Sequence, residues 1–247
     1  VQRYFLQTAF DEEGLANIVG EDGKHIVKVM RMSEGDTVIT VSGGEAFHAS
    51  IVEMLPDGVV VKRQDDHELP SNELPIGVTI ACGLPKGDKL DWIVQKGTEL
   101  GMTSLLPFEA ERSIVKWDEK KGSKKVERLR KIAKEAAEQC HRTVIPIIET
   151  PCSFKQLLER SKSFDVRLFA DEEDAKSGKP HRIAEQLKNV YHKQSVCVLF
   201  GPEGGLSRQE AAALIEADFQ PIALGPRILR AETAPLYVLS ALSYEFE

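Results

Sequence analysis

The apolar run VCVLF, Val196 to Phe200, passes directly into Gly201-Pro202-Glu203-Gly204-Gly205-Leu206-Ser207. Ser207 with Glu210 three residues on forms a capping box, so a helix is expected to start at Ser207. Glycines at the carboxyl edge of a strand let backbone approach a ligand closely, and open α/β sheets bind their ligands at that edge. The loop is not GxGxxG and carries no GK[ST], so neither a dinucleotide fingerprint nor an NTPase phosphate loop is supported. A second loop of the same kind, Leu224-Gly225-Pro226-Arg227-Ile228-Leu229-Arg230-Ala231-Glu232-Thr233-Ala234, follows the next strand. Thr233 is suited to cap the last helix, and Pro235 is tolerated in its first turn, where backbone donors lack helical partners. Apolar Ile228 and Leu229 between arginines suggest a pocket with apolar walls and a charged rim, which suits an adenosine. Plain tight turns remain the alternative for both loops.

Other constellations are weaker. Cys82, Cys140, Cys152 and Cys197 form no CxxC pair, and no two histidines stand at i, i+4, so neither a structural metal nor a disulfide framework is expected. Cys140 and His141 are neighbours, but consecutive helical side chains point apart, which disfavours a nucleophile and base.

The elements that must position these loops fall into two groups. Thr37 to Val41, Ala46 to Met54 and Val59 to Val61 read as short strands separated by the turns SGGE and LPDG, which suggests a small β-barrel. The polar segment Gln64 to Pro75 reads as a linker, with a boundary near residue 72. Beyond it, strands alternate with helices, the pattern of an α/β domain with a largely parallel sheet. Strands are predicted at Ile76 to Cys82, from Ser104, and at Val144 to Ile148, Val166 to Ala170, Val196 to Phe200 and Pro221 to Leu224. Helices are predicted over Leu90 to Leu100, after a Ser123 cap, and from Ala234 to the end. The Ser123 helix should bury Val126, Leu129, Ile132, Ala133, Ala136 and Cys140 and leave its cations outside.

Composition excludes some classes of function. With 42% hydrophobic and 29% charged residues over 247 positions, no apolar run approaches the roughly 20 residues of a membrane span. The first residues carry no secretion signal, so a cytoplasmic location is expected. Net charge is −7, but from Arg112 to Arg142 eleven Lys and Arg face five Asp and Glu, a local +6 that leaves −13 for the rest. Such a segment either meets a polyanion or solvates a helix face.

LFGPEGGLSRQE and LGPRILRAETAPLYVLSAL together resemble the paired signature of the RsmE-type 16S ribosomal RNA uridine N3-methyltransferases, members of the SPOUT superfamily. HIVKVMRMSEGDTVITVSG is similar to the family's N-terminal PUA-like barrel, and LPKGDKLDWIVQKGTELG to the opening of its catalytic domain. EAAEQCHR before VIPIIE also fits, with QCHR in place of the commoner Gln-Ser-Gly-Arg. The resemblance implies a PUA-like barrel for RNA recognition over residues 1–72 and a SPOUT domain over 73–247 whose parallel sheet ends in a C-terminal trefoil knot. It implies a homodimer, S-adenosylmethionine as cofactor, and 16S ribosomal RNA of the small ribosomal subunit as partner. Carried over by position, the cofactor residues are Ala170 and Glu172; Phe200, Gly201, Glu203, Gly204 and Gly205; and Leu224, Gly225, Ile228, Leu229, Glu232 and Thr233. RNA contacts fall to Arg31, Lys86, Arg112, Lys124, Lys125 and Arg128.

Methyl transfer to uridine N3 requires alignment with the methyl donor and loss of the N3 proton, which a nearby cation favours. Arg142 and Arg230 are the candidates for that cation or for holding the adjacent phosphate, and each has the alternative of pairing with a carboxylate. Glu203 and Glu232 read as loop organisers. Two other readings stay open: a non-catalytic RNA-binding protein, and a small-molecule α/β enzyme consistent with the acidic pI of about 5.5.

Overall fold

A computed structural model describes residues 1–65, 67–171 and 183–246. The chain divides into two compact units, one of Val1–Glu73 with Ala137–Val144, the other of Leu74–Ala136 with Ile145 onward.

In the first unit, β1 (Arg3–Phe5), β2 (Leu15–Val19), β3 (Thr37–Ser42), β4 (Glu45–Leu55) and β5 (Gly58–Arg63) form a curled sheet of order β1-β3-β4-β5-β2. β1 runs parallel to β3, and the other pairs are antiparallel. The β3–β4 hairpin closes through Gly43 and Gly44, whose φ of 61° and 88° are those a two-residue hairpin turn demands. Tyr4, Ile18, Val38, Ala49, Ile51, Val59 and Val61 fill the core. Helix α1 (Gly20–Lys24) leads into a π-helical turn, His25–Val29. β1 and β2 are not among the strands expected from the sequence, because three and five residues give too few alternations to register.

The second unit contains β6 (Gly77–Gly83), α2 (Lys89–Glu99), β7 (Ser104–Glu109), α3 (Glu119–Gln139, whose last three residues fall in the first unit), β8 (Ile147–Ile148), β9 (Cys152–Ser153) and α4 (Phe154–Ser161). β10 (Val166–Ala170), α5 (Ile183–Leu187), β11 (Ser195–Phe200), α6 (Arg208–Glu216), β12 (Gln220–Ile222) and α7 (Thr233–Phe246) follow. The sheet runs β12-β10-β11-β6-β7-β8, with β9 also on β7, and every pair is parallel. Strand alternation sorts side chains between two cores. Val78, Ile80 and Cys82 of β6 and Val196, Val198 and Phe200 of β11 point to one layer, where Ile93, Leu129, Leu239 and Leu242 from helices cover them. Ala81, Cys197 and Leu199 point to the other, under Leu157, Ala211 and Leu214. Burial pushes the Cys82 and Cys197 thiols up to about 12, which makes them packing groups rather than nucleophiles.

Three local expectations need correction. Ser123 lies inside α3, not at its start; Asp118 Oδ1 accepts the Lys121 N–H at 2.8 Å and takes the capping role five residues earlier than expected. The strand expected over Val144 to Ile148 shrinks to Ile147–Ile148, since Thr143 and Val144 donate their N–H groups to Glu73 instead of a ladder. Thr233 is the first residue of α7, and the turn before it closes on the Arg230 carbonyl, which accepts from Thr233 and Ala234 at 2.9 and 3.0 Å. No helix among the described residues is long and apolar enough to cross a membrane.

Candidate active site

β12, β10 and β11 are adjacent and parallel, so the segments leaving their carboxyl ends are brought together. A cavity of about 690 Å³ lies among them. Ala170 and Asp171 line it from the β10 end; Phe200, Gly201, Glu203, Gly204 and Gly205 from the β11 loop; Leu224, Gly225, Ile228, Leu229 and Arg230 from the β12 loop. Glu232 and Thr233 stand outside the lining, and Glu172 lies outside the described residues.

The shape of the β11 loop follows from close backbone approaches. A Cβ on Gly201 would lie 2.9 Å from both Gly205 C and Leu206 N, so the loop folds back on itself there as only glycine permits. At the next strand, Pro202 Cδ packs 2.6 Å from where a Gly83 Cβ would stand. Gly204 faces Arg112, whose Cβ would be 3.1 Å from a Gly204 Cβ and whose Nη1 donates to the Gly204 carbonyl at 3.2 Å. The loop ends in the expected capping box: Ser207 Oγ accepts from Glu210 N at 3.2 Å, and Glu210 Oε2 accepts from Ser207 N at 2.9 Å. The other oxygen of the buried Glu210 accepts the Glu111 N–H at 2.8 Å, pinning the segment before α3 to the start of α6.

Glu203 does not point a free carboxylate into the cavity. Its Oε1 accepts from the Lys86 N–H and from Lys89 Nζ, both at 2.9 Å. Burial works to raise the Glu203 carboxyl, but the hydrogen bonds from Lys89 and Lys86 outweigh it and hold the group below the usual glutamate range. Lys89 is raised in turn, chiefly by its hydrogen bond to Glu203. The same ammonium lies 3.5 Å from Glu232 Oε2, which is buried and has no hydrogen-bond partner among the described residues.

The two arginines proposed for chemistry have different surroundings. Arg230 is exposed on the cavity wall and, among the described residues, pairs with no carboxylate. Arg142 is 3% exposed; its guanidinium is bound by Glu73, and its carbonyl accepts from Arg3 Nη1 at 3.0 Å. Of the residues expected to meet RNA, Arg112 lines the cavity, Lys86 and Lys124 are exposed, and Arg31 is exposed with φ 54°. Lys125 Nζ sits 4.9 Å above the Trp117 ring, and Arg128 is paired with Asp91. Asp171 and Arg227 fall inside the loops that the resemblance implied, Ala170 to Glu172 and Leu224 to Thr233, whereas sequence reasoning missed Lys89 and Arg208 of the lining. Arg208 flanks a glycine loop and was within reach of that logic; Lys89, far away in sequence, announced itself only as a cation in the first turn of a helix.

A profile for the RNA methyltransferase domain matches residues 72–243, and one for the RNA methyltransferase PUA domain matches residues 18–62. The ribosomal RNA small subunit methyltransferase E of Bacillus subtilis is 46% identical over 255 aligned positions, covering 100% of this chain and 98% of the relative. The same enzyme of Synechocystis is 33% identical, over 89% of this chain and 69% of the relative. Among solved structures, the ribosomal RNA small subunit methyltransferase E of Neisseria gonorrhoeae bound to S-adenosyl methionine matches with a TM-score of 0.86 and 25% identity, covering 99% of this chain and 98% of the other. With a catalytic-domain match across most of its length and a full-length relative at this identity, the chain belongs to the ribosomal RNA small subunit methyltransferase E family.

Proposed function

We propose that the chain transfers a methyl group from S-adenosylmethionine to N3 of a uridine in the 16S RNA of the small ribosomal subunit. The observation that carries the reading is the cavity at the carboxyl ends of three adjacent parallel strands, walled by the two glycine loops. Its volume of about 690 Å³ falls within the range of cofactor sites. The residues present fit such a group. A Cβ on Gly205 or Gly225 would meet nothing within 4 Å, so backbone faces open space on both loops. Ile222, Leu224, Ile228 and Leu229 supply apolar wall for an adenine ring.

When bound, S-adenosylmethionine supplies an electrophilic methyl carbon; the protein supplies everything that aligns and activates the nucleophile. The loops around Gly201 to Gly205 and Leu224 to Leu229 bind and exclude water. Arg230, exposed on the cavity wall and paired with no carboxylate among the described residues, favours the anionic form of the uridine. We assign Arg142 to packing, because its charge is already matched by Glu73. RNA is held by Arg31, Lys86, Arg112, Lys124, Lys125 and Arg128, with residues 1–72 as the recognition module and 73–247 as the catalytic one. A homodimer, a trefoil knot in the C-terminal part and a cytoplasmic site of action complete the proposal. For the dimer, Leu239 and Leu242 are taken by the core, which leaves the Tyr237 and Tyr244 side of α7 for a partner.

Mass spectrometry of ribosomal RNA from cells lacking the protein tests the reaction. A missing methyluridine in 16S RNA, restored by the wild-type chain, is the expected result. Fully methylated RNA in those cells, or no saturable S-adenosylmethionine binding in calorimetry, overturns it.

A further inference from the structure

Lys89 opens α2, where the positive end of the helix dipole disfavours a cation. It is nevertheless held there by two carboxylates from two loops, Glu203 at 2.9 Å and Glu232 at 3.5 Å. The two grips are unequal. Glu203 is fixed from both sides, since the oxygen that accepts from Lys89 also accepts the Lys86 N–H. Glu232 Oε2 is buried, has no hydrogen-bond partner among the described residues, and has the Lys89 ammonium 3.5 Å away. An ammonium carries three donors, and a buried acceptor left without one bears an uncompensated loss of hydration. A small approach of Glu232 toward Lys89 would satisfy both groups and draw the Leu224 to Thr233 segment toward the Gly201 to Gly205 loop.

We propose that Lys89 is a positioning residue for the methyl-donor site: anchored on Glu203, it holds the β12 loop against the β11 loop through Glu232. This rests on the reading of the cavity as the cofactor site. Lys89 touches both loops through side-chain carboxylates rather than through backbone, so its contribution depends on charge and reach together. Neither Glu203 nor Glu232 then acts as proton acceptor for the uridine; both are committed to the tie.

The test has one arm with cofactor and one without. Arg227 and Arg230 are exposed on the β12 loop, so trypsin cleavage after either, followed by mass spectrometry on the cofactor-free protein, reports how firmly the loop is held. Lys89→Met should speed cleavage at these two bonds by about tenfold and weaken S-adenosylmethionine binding in calorimetry by about tenfold, while Lys89→Arg stays within about threefold of wild type in both. Glu232→Gln should reproduce Lys89→Met, and the double variant should be no worse than either single one. If Lys89→Met accelerates cleavage uniformly at all tryptic sites, it has unfolded, and Glu232→Gln then carries the test. Wild-type cleavage and wild-type affinity in a folded Lys89→Met or Glu232→Gln protein overturn the tie. Absence of cofactor binding in the wild-type protein overturns only the functional reading, because the cleavage arm decides the tie without cofactor.

Discussion

Arg142 and Glu73, 69 residues apart, form an ion pair in which Nη2 lies 2.5 Å and Nε 3.0 Å from the same carboxylate oxygen. The second oxygen of Glu73 accepts the backbone N–H groups of Thr143 at 2.8 Å and Val144 at 3.1 Å. One carboxylate thus satisfies a buried guanidinium and two backbone donors at the end of the Ala137–Val144 segment. Removing it takes away the carboxylate shared by a buried guanidinium and two backbone donors, and losing one partner of a buried pair costs about 3–5 kcal/mol. Glu73→Ala should therefore lower the unfolding free energy by about that amount in urea denaturation. A loss below about 1 kcal/mol would show that water replaces the carboxylate readily.

The β11 loop depends on Gly201 more than on Gly204. A Gly201 Cβ would strike backbone atoms of Gly205 and Leu206, whereas a Gly204 Cβ would press on Arg112, a side chain and neighbouring backbone outside the loop. Gly201→Ala should weaken S-adenosylmethionine binding by about 5- to 150-fold, since loop strain of about 1–3 kcal/mol falls directly on the site. Calorimetry with a melting curve separates lost affinity from lost fold.

Acid should release the Lys89 tie. The Glu203 carboxyl is depressed in the folded protein, so its contribution is fully present above the unfolded value of about 4.3 and is lost as pH falls through the lower folded value. Lys89 is raised, so it stays charged throughout that window. Cofactor affinity should accordingly hold from pH 7 to about 5 and collapse only below about 4.3, and Glu203→Gln should remove that step. A midpoint near pH 6 would point to another titrating group.

How far the sequence reached depended on the range of the signal. Ser207 with Glu210, the Gly201 to Gly205 loop and the strands β6 and β11 were legible because each is written in contiguous residues. The Ser123 cap failed because Asp118, five residues upstream, competes for the same helix and wins through its bond to the Lys121 N–H. Arg142 takes the alternative that was left open for it, pairing with a carboxylate, and the cause is of longer range. Its partner Glu73 sat in a stretch that read as a polar linker, and no local pattern ties residue 73 to residue 142. Lys89 stayed hidden in the same way, since Glu203 lies 114 residues away.

His141 occupies the position where the family more commonly carries glycine, and its φ of 63° explains that preference. A non-glycine residue in this left-handed region costs about 1–2 kcal/mol, part of which returns as lost chain entropy when glycine replaces it. The Asn72 side chain donates to the His141 carbonyl at 3.3 Å, a contact that glycine keeps. His141→Gly should therefore raise the unfolding free energy by up to about 1 kcal/mol, or about 2–4 °C in Tm. A fall in Tm would mean that the imidazole packing outweighs the backbone strain.

RNA affinity should depend more steeply on the cavity rim than on the basic helix. Each phosphate that displaces condensed counterions steepens the salt dependence, by about 0.7 per contact on a single strand. A cation already matched by a protein carboxylate releases less on binding. Arg128 is paired with Asp91, and Lys125 sits over Trp117, so the α3 cations do not meet RNA as three independent free charges. Arg227 and Arg230 are exposed and pair with no carboxylate among the described residues. Arg227→Ala with Arg230→Ala should flatten the log–log salt slope by about 1.4, at about 0.7 for each of two contacts. The Lys124→Ala, Lys125→Ala, Arg128→Ala triple variant should flatten it by less than the about 2.1 that three free contacts predict. Fluorescence anisotropy with a labelled 16S RNA fragment across a salt series measures both. Equal slopes for wild type and the rim variant would remove Arg227 and Arg230 from the RNA path and transfer the phosphate contacts to α3 or to the N-terminal sheet.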